Sequence, residues 1–219
     1  MEGRIRLAIA DNDAITLAAL RDILGRRHKA LDVTWTATHG EDAVARCLDA
    51  AQRPALLLLD MSMGEMSGPS ICREIRRHGA LPRILAITSF EPGVYAAKAA
   101  RAGAQGLVVK DSPALIRRAI GVVLTGGTFN ACSPSVSFED SEAAFRRLRK
   151  TPAEGVGRLS DQERSVMDLC MQGLTLEEIA GRLGVAASTV RTHVRRVKEK
   201  LGAKTLAQAV MMVMEHRYE

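Results

Sequence analysis

Four cysteines stand in the 219-residue chain, Cys47, Cys72, Cys132 and Cys170, and none forms a CxxC pair or a Cys/His cluster. Disulfide frameworks and structural zinc sites both need such clustering, so the thiols read as buried and reduced. No apolar run approaches the roughly 20 residues that cross a bilayer, and the opening MEGRIRLAIADND meets acid too early for a secretory signal. These absences predict a cytoplasmic protein with no membrane partner. Internal repeats and low-complexity tracts are missing too. No GxGxxG or GxxxxGK loop follows the first apolar run, where ADND stands instead, which argues against nucleotide chemistry.

What is present reads as folded protein. Hydrophobic residues make up 47% and charged residues 26%, too apolar for a disordered chain. The length suits two domains of about 100 residues each. A net charge of +6 favours an anionic partner such as nucleic acid.

Up to about Thr125, short apolar runs alternate with segments of helical period, the pattern of a doubly wound α/β domain with a parallel sheet covered by helices. Five strands are expected, at 5–10, 33–38, 55–60, 83–88 and 106–109. The third, ALLLLD, is apolar enough to be buried on both faces. Residues 126–157 carry Gly, Ser and Pro punctuation around one helix candidate, 141–150, and read as a linker. From 158 to the end every segment reads as helix, at 161–171, 176–183, 187–201 and 205–216, giving a small all-α domain.

In a doubly wound sheet, ligand sites form at the carboxyl ends of the strands. Here those ends deliver Asp11-Asn12-Asp13, Asp60, Thr88-Ser89 and Lys110-Asp111 to one rim. Two carboxylates at neighbouring strand ends repel unless a cation lies between them, and hard oxygen donors suit Mg²⁺. A phosphate site follows, with Asp60 as nucleophile and Lys110 and Thr88 stabilising charge on the transferred oxygens. Taken singly, each acid at a strand end is better read as a helix cap, as Asp13 is for the helix opening at Ala14.

The run ADND, the LLLLDMSM…SG segment, LAITSF and LVVKD resemble, in order and spacing, the receiver domain of response regulators over residues 4–125. The resemblance implies Asp60 as phosphoacceptor, Asp11 as acid-pocket residue, Thr88 as switch hydroxyl, Lys110 as the family's lysine, and the Ser62 backbone carbonyl as a Mg²⁺ ligand. It also implies a sensor histidine kinase as partner. Three positions depart from the pattern. Asn12 stands where a second metal-ligating acid is usual, so Mg²⁺ is expected to bind more weakly while an incoming phosphate meets less repulsion. Gly64 replaces a usual proline. Leu107 occupies the place of a switch aromatic, which suggests that Thr88 does not signal through a ring there.

Residues 187–204 hold Arg191, Arg195, Arg196, Lys198, Lys200 and Lys204 against the single acid Glu199. Val190, Val194, Val197 and Leu201 recur at helical spacing and are expected to pack inward, with Arg191, Thr192, Arg195 and Lys198 outward. EEIAGRLGVAAS precedes this helix with a short helix, a tight turn at Gly184 and a cap at Ser188; Ile179, Leu183 and Val185 are expected to close the core around the small Ala180. This reads as helix-turn-helix, a design that places an N-terminal recognition segment in the major groove of double-stranded DNA. Residues 159–210 resemble the LuxR-type helix-turn-helix domain, with landmarks at Glu163, Glu178-Ile179-Ala180, Thr189-Val190, His193 and Lys200-Leu201. The whole chain is therefore similar to NarL/FixJ-type response regulators. By position, the resemblance gives base reading to Arg191, Thr192 and Arg195, and phosphate contacts to Ser188, Thr189, His193, Lys200 and Lys204; His193 also suits a packed side chain.

In the last helix Leu206, Ala209, Val210 and Val213 form an inward stripe, leaving Met211, Met212 and Met214 over. Surplus methionines suit an adaptable contact surface, here a homodimer interface centred on Met211 and Met214. Three functional readings stay open: a regulator switched by phosphate on Asp60, a DNA-binding regulator whose receiver is a phosphate-independent dimerisation or protein-binding module, and a small-molecule phosphotransfer enzyme.

Overall fold

A computed structural model describes residues 4–27, 30–64, 66–131, 133–150, 156 and 159–218. The chain divides into two compact units, one up to residue 151 and one from residue 152.

The first unit runs β1 (Ile5–Ala10), α1 (Ala14–Arg27), β2 (Leu31–Ala37), α2 (Gly40–Leu48), β3 (Leu56–Asp60), α3 (Gly68–His78), β4 (Arg83–Thr88), α4 (Pro92–Ala102), β5 (Gly106–Val109), α5 (Pro113–Leu124), β6 (Phe129–Asn130) and α6 (Ser141–Lys150). All strands pair in parallel, in the order β2-β1-β3-β4-β5-β6. Successive side chains of a strand point to opposite faces, and β3 shows the result. Leu57 and Leu59 join a core with Ile71, Cys72 and Ile75 of α3, while Leu56 and Leu58 join a second core with Leu17, Leu20 and Leu24 of α1 and Ile116 and Ile120 of α5. Every β3 residue is buried because helices cover both faces.

The sheet has six strands where the sequence suggested five. β6 is only two residues long and carries one apolar anchor, Phe129, so it leaves no alternating pattern to read. The segment 126–157 is correspondingly not a free linker as far as Lys150. Asn130 donates through Nδ2 to the Ser133 and Val136 carbonyls and accepts from the Ser133 amide, turning the chain back toward the sheet. Phe138 then enters the core that holds Leu57 and Leu59, and Ala144 and Leu148 of α6 are buried. Arg147 of α6 pairs with Glu139 at 2.8 Å and donates to the Ala100 and Arg101 carbonyls, which close the C-terminus of α4. The remainder of the expected linker lies largely outside the described residues, as does Cys132. Cys47 and Cys72 are buried free thiols, and burial pushes each up to about 12.

The second unit comprises α7 (Asp161–Met171), α8 (Leu176–Leu183), α9 (Ala187–Leu201) and α10 (Leu206–Tyr218). Two helices open with reciprocal caps. Ser160 Oγ accepts from the Glu163 amide while Glu163 Oε2 accepts from the Ser160 amide, and Thr175 and Glu178 repeat the arrangement at α8. These caps give the Glu163 and Glu178 landmarks a structural reason. Val190 and Val194 pack with Ile179, Ala180, Val166 and Leu169, while Val197 and Leu201 pack with Leu159, Met167, Ala209 and Val213. Of the three residues expected to close this core, Ile179 is buried in it, whereas Leu183 and Val185 are exposed. Ser188 is not the cap of α9, because the helix starts at Ala187 and Ala186 takes the cap position without a side-chain bond.

Candidate functional site

The carboxyl ends of β1, β3, β4 and β5 converge on one buried cluster. Asp11 and Asp60, each at most 2% exposed, flank the Lys110 ammonium, whose Nζ lies 2.7 Å from Asp11 Oδ2 and 3.0 Å from Asp60 Oδ1. Burial, with a smaller push from the neighbouring Asp11 charge, raises the Asp60 pKa; Lys110 and the Ser62 amide oppose that rise without cancelling it. Burial also works against the Lys110 charge, yet its two carboxylate partners outweigh burial and hold its pKa above the usual lysine value. Thr88 is fully buried on the neighbouring strand end, and its Oγ1 accepts the Phe90 amide at 3.0 Å. Lys110 and Thr88 are tied across the strand pair by a bond from the Lys110 amide to the Thr88 carbonyl at 2.9 Å.

The loop behind Asp60 is fixed by two glycines. Gly68 lies so close to the strand that a Cβ there would come within 2.2 Å of the Asp60 carbonyl. Gly64 adopts φ +85°, a conformation closed to proline, whose ring holds φ near −65°. The departure at this position therefore comes with a different loop turn.

Asn12 is exposed beside this cluster. Asp13 does not compensate for it: Oδ1 accepts the Ile15 amide and Oδ2 the Thr16 hydroxyl, so its carboxylate caps α1. Among the described residues no group of three or more His, Cys, Asp or Glu stands ready for a metal. Mg²⁺ keeps several waters, however, and two carboxylates plus carbonyl oxygen are a workable set for it. Asp11 Oδ2 fits such a set, being a buried oxygen already turned to a cation, the Lys110 Nζ at 2.7 Å.

A second cluster lies on α9. Arg191, Arg195, Ser188, Thr189 and Lys204 are exposed, and Thr192, half-buried, donates its hydroxyl to the Ser188 carbonyl. Arg191 pairs with Glu177 at 2.6 Å and Arg195 with Glu199 at 3.0 Å, both at exposed sites where such pairs are weak and exchangeable. Lys200 departs from the expectation of a free phosphate contact, since its Nζ lies 2.6 Å from Glu163 Oε2, a buried carboxylate. His193 is half-buried with an unpartnered, buried Nδ1, which matches a packed ring more than an outward contact. On α10, Met211 is 60% and Met214 42% exposed, whereas Met212 packs against the core.

The residues that sequence reasoning missed surround the acid cluster. Tyr95 of α4 shares a hydrogen bond with Ser62 (O···O 2.9 Å), and Phe90 follows Thr88 on the same loop. Both tyrosine and phenylalanine are scarce in this chain, and their position just past a strand end was the available signal.

No helix among the described residues is long and apolar enough to cross a membrane. Residues 7–120 match the response regulator receiver domain family, and residues 158–213 match the bacterial regulatory proteins of the luxR family. The chain is 30% identical over 217 residues to the DNA-binding transcriptional activator DevR/DosR of Mycobacterium tuberculosis, covering 96% of this chain and 94% of that one. It is 29% identical over 192 residues to the nitrate/nitrite response regulator protein NarL of Escherichia coli, covering 85% of each. Among solved structures, the RcsB response regulator of Salmonella typhimurium shares the fold with a TM-score of 0.53 at 21% identity, over 96% of this chain and 98% of that one. A LuxR-family two-component response regulator from Aurantimonas aligns at TM-score 0.54 and 25% identity, over 68% of this chain and all of its own. With a receiver fold carrying its acid cluster and a LuxR-type helix-turn-helix behind it, the chain belongs to the NarL-type response regulators, transcriptional regulators of two-component systems.

Proposed function

We propose that this regulator is switched by phosphorylation of Asp60 and that the switch controls a DNA-binding dimer. The observation that carries this reading is Lys110 standing between Asp11 and Asp60 with the buried Thr88 on the adjoining strand end. In the transfer, an Asp60 carboxylate oxygen bonds to the donor's phosphorus as the bond to the leaving group breaks, and the leaving group departs with the electron pair. The Lys110 ammonium and the Thr88 hydroxyl lie where charge builds on the phosphoryl oxygens. Asp11, Asp60, the Ser62 carbonyl and the Asn12 amide oxygen would hold Mg²⁺, which when bound supplies charge neutralisation between donor and carboxylates. A sensor histidine kinase is the donor class the receiver family implies.

In the second unit, Arg191, Thr192 and Arg195 read base edges, with Ser188, Thr189 and Lys204 on phosphates; Lys200 stays with Glu163, and His193 packs. The exposed α9 face and its weak, replaceable ion pairs support this assignment. Met211 and Met214 join two copies through α10, which lets two helices address half-sites about one DNA turn apart. The phosphate would act by stabilising the DNA-competent dimer over the free chain. Intact mass after incubation with Mg²⁺ and a small phosphodonor tests the first step: one phosphoryl gain, absent in Asp60→Asn, is expected. No gain from small donors or a cognate kinase would leave the phosphate-independent reading, to which the departures at Asn12, Gly64 and Leu107 point.

A further inference from the structure

Signalling from Asp60 needs a group that senses the phosphoryl and lies on a movable element. Position 107 cannot supply it: Leu107 is fully buried in β5, paired with Ala86 and packed in the core. The aromatic groups near the cluster lie on the other side of Thr88. The Phe90 amide donates to Thr88 Oγ1, and the Phe90 ring sits 6.3 Å from the Tyr95 ring, within the range of an aromatic pair. Tyr95, on the first turns of α4, reaches across to the loop after β3 and shares its 2.9 Å hydrogen bond with Ser62 Oγ. Ser62 in turn stands two residues past Asp60, and its amide is among the groups that lower the Asp60 pKa. Each of the two loops that flank Asp60 is thus tied to one aromatic pair at the start of α4.

We infer that Tyr95 is a positioning residue that couples the chemical state of Asp60 to α4 through its hydrogen bond to Ser62, in place of a ring at position 107. The inference rests on Asp60 being the phosphoacceptor. A phosphoryl on Asp60 recruits the Thr88 hydroxyl as donor and offers its oxygens to the amides of the loop that carries Ser62. Both changes pull on the pair together. Thr88 Oγ1 can donate to the phosphoryl while it still accepts the Phe90 amide, so its turn draws Phe90 along while Tyr95 stays held to the Ser62 loop, and α4 shifts with the exposed Phe90 and Val94 side chains.

The test is hydrogen exchange on the full-length chain, wild type against Tyr95→Phe, Ser62→Ala and the double variant, with intact mass to count phosphoryl groups. Without phosphodonor, each single variant is expected to raise exchange about threefold or more in segments 61–67 and 89–97 and nowhere else in the first unit, the change expected of one lost hydrogen bond. The double variant should add nothing, because both substitutions remove one bond. With phosphodonor and Mg²⁺, wild type should change exchange in both segments, whereas Tyr95→Phe should gain phosphate but lose the response at 89–97. Additive single effects, a uniform rise across the first unit, or a wild-type response in phosphorylated Tyr95→Phe would overturn the inference. If wild type gains no phosphate while the unlabelled variants behave as expected, the reading of Asp60 fails and the Tyr95–Ser62 tie between α4 and the loop is supported.

Discussion

Asp11 and Asp60 are buried side by side at two strand ends, and Lys110 is the cation that makes this tolerable. Two like unit charges about 4 Å apart repel by about 4 kcal/mol at an effective dielectric of about 20, so neighbouring buried carboxylates call for a fixed ammonium as part of the folded site. The sequence made this trio legible because each member ends an apolar run. Asn12 and Asp13 were separable for the same reason: the helix that opens at Ala14 claims the Asp13 carboxylate for its own amides. Restoring the second charge through Asn12→Asp should lower the Mg²⁺ concentration for half-maximal labelling by about tenfold. A titration of labelling rate against Mg²⁺ checks this, and an unchanged midpoint would place position 12 outside the metal set. Arg76 shows what single-residue reading could not reach. Its guanidinium is wholly buried and donates to the Gly103, Gly79, Ala80 and Pro82 carbonyls and to Gln105 Oε1. Four residues past Cys72, it lies on the buried stripe of α3, but nothing in a basic run announces five acceptors, three from the turn that follows α3 and two from the segment between α4 and β5.

Elements with a strong period or a clear stop were readable to within a residue or two. β1, β4 and β5 and helices α7 to α9 keep their expected bounds, because Gly, Pro and capping residues fix the ends. β6 and the docking of α6 were not, since one phenylalanine and a buried Leu148 carry the packing and tertiary contact overrides local composition. At α7 and α9 a single carboxylate does two jobs: Glu163 caps α7 and holds Lys200 of α9. Burial tends to raise its pKa, but Lys200 and the Ser160 amide more than offset this and leave it below the ordinary glutamate value of 4.5. A depressed carboxylate stabilises the fold above its unfolded pKa and loses that contribution as pH falls through the folded one. The second unit should therefore keep this contribution at neutral pH and shed it as pH falls below 4.5. Glu163→Gln should cost about 1–2 kcal/mol at pH 7 and flatten the acid limb of stability, as followed by thermal melts across pH. Equal acid slopes in both proteins would show that the Glu163–Lys200 pair does not carry it.

The whole molecule pairs an acid cluster in one unit with a basic helix in the other, and the net charge of +6 is a sum that hides both. Two-unit organisation was legible from the change of period, and the division at residues 151 and 152 falls inside the 126–157 segment; what was not legible is that the chain stays packed on the first unit as far as α6. Assembly belongs to this scale. Met211→Glu with Met214→Glu should weaken self-association of the phosphorylated chain by at least about 100-fold while leaving its melting temperature within a few degrees, since both side chains are already exposed in the single chain. Analytical ultracentrifugation at several concentrations reads this directly, and an unaltered dimer would move the interface off α10. Control of DNA binding by Asp60 is tested most directly by the DNA affinity of the phosphorylated chain beside the unmodified chain and Asp60→Asn, titrated on one two-half-site duplex at fixed salt. Tighter binding, by about tenfold or more, is expected only where Asp60 carries phosphate, which corresponds to about 1.4 kcal/mol of coupling. Equal affinity in all three states, with phosphate present by mass, would contradict it.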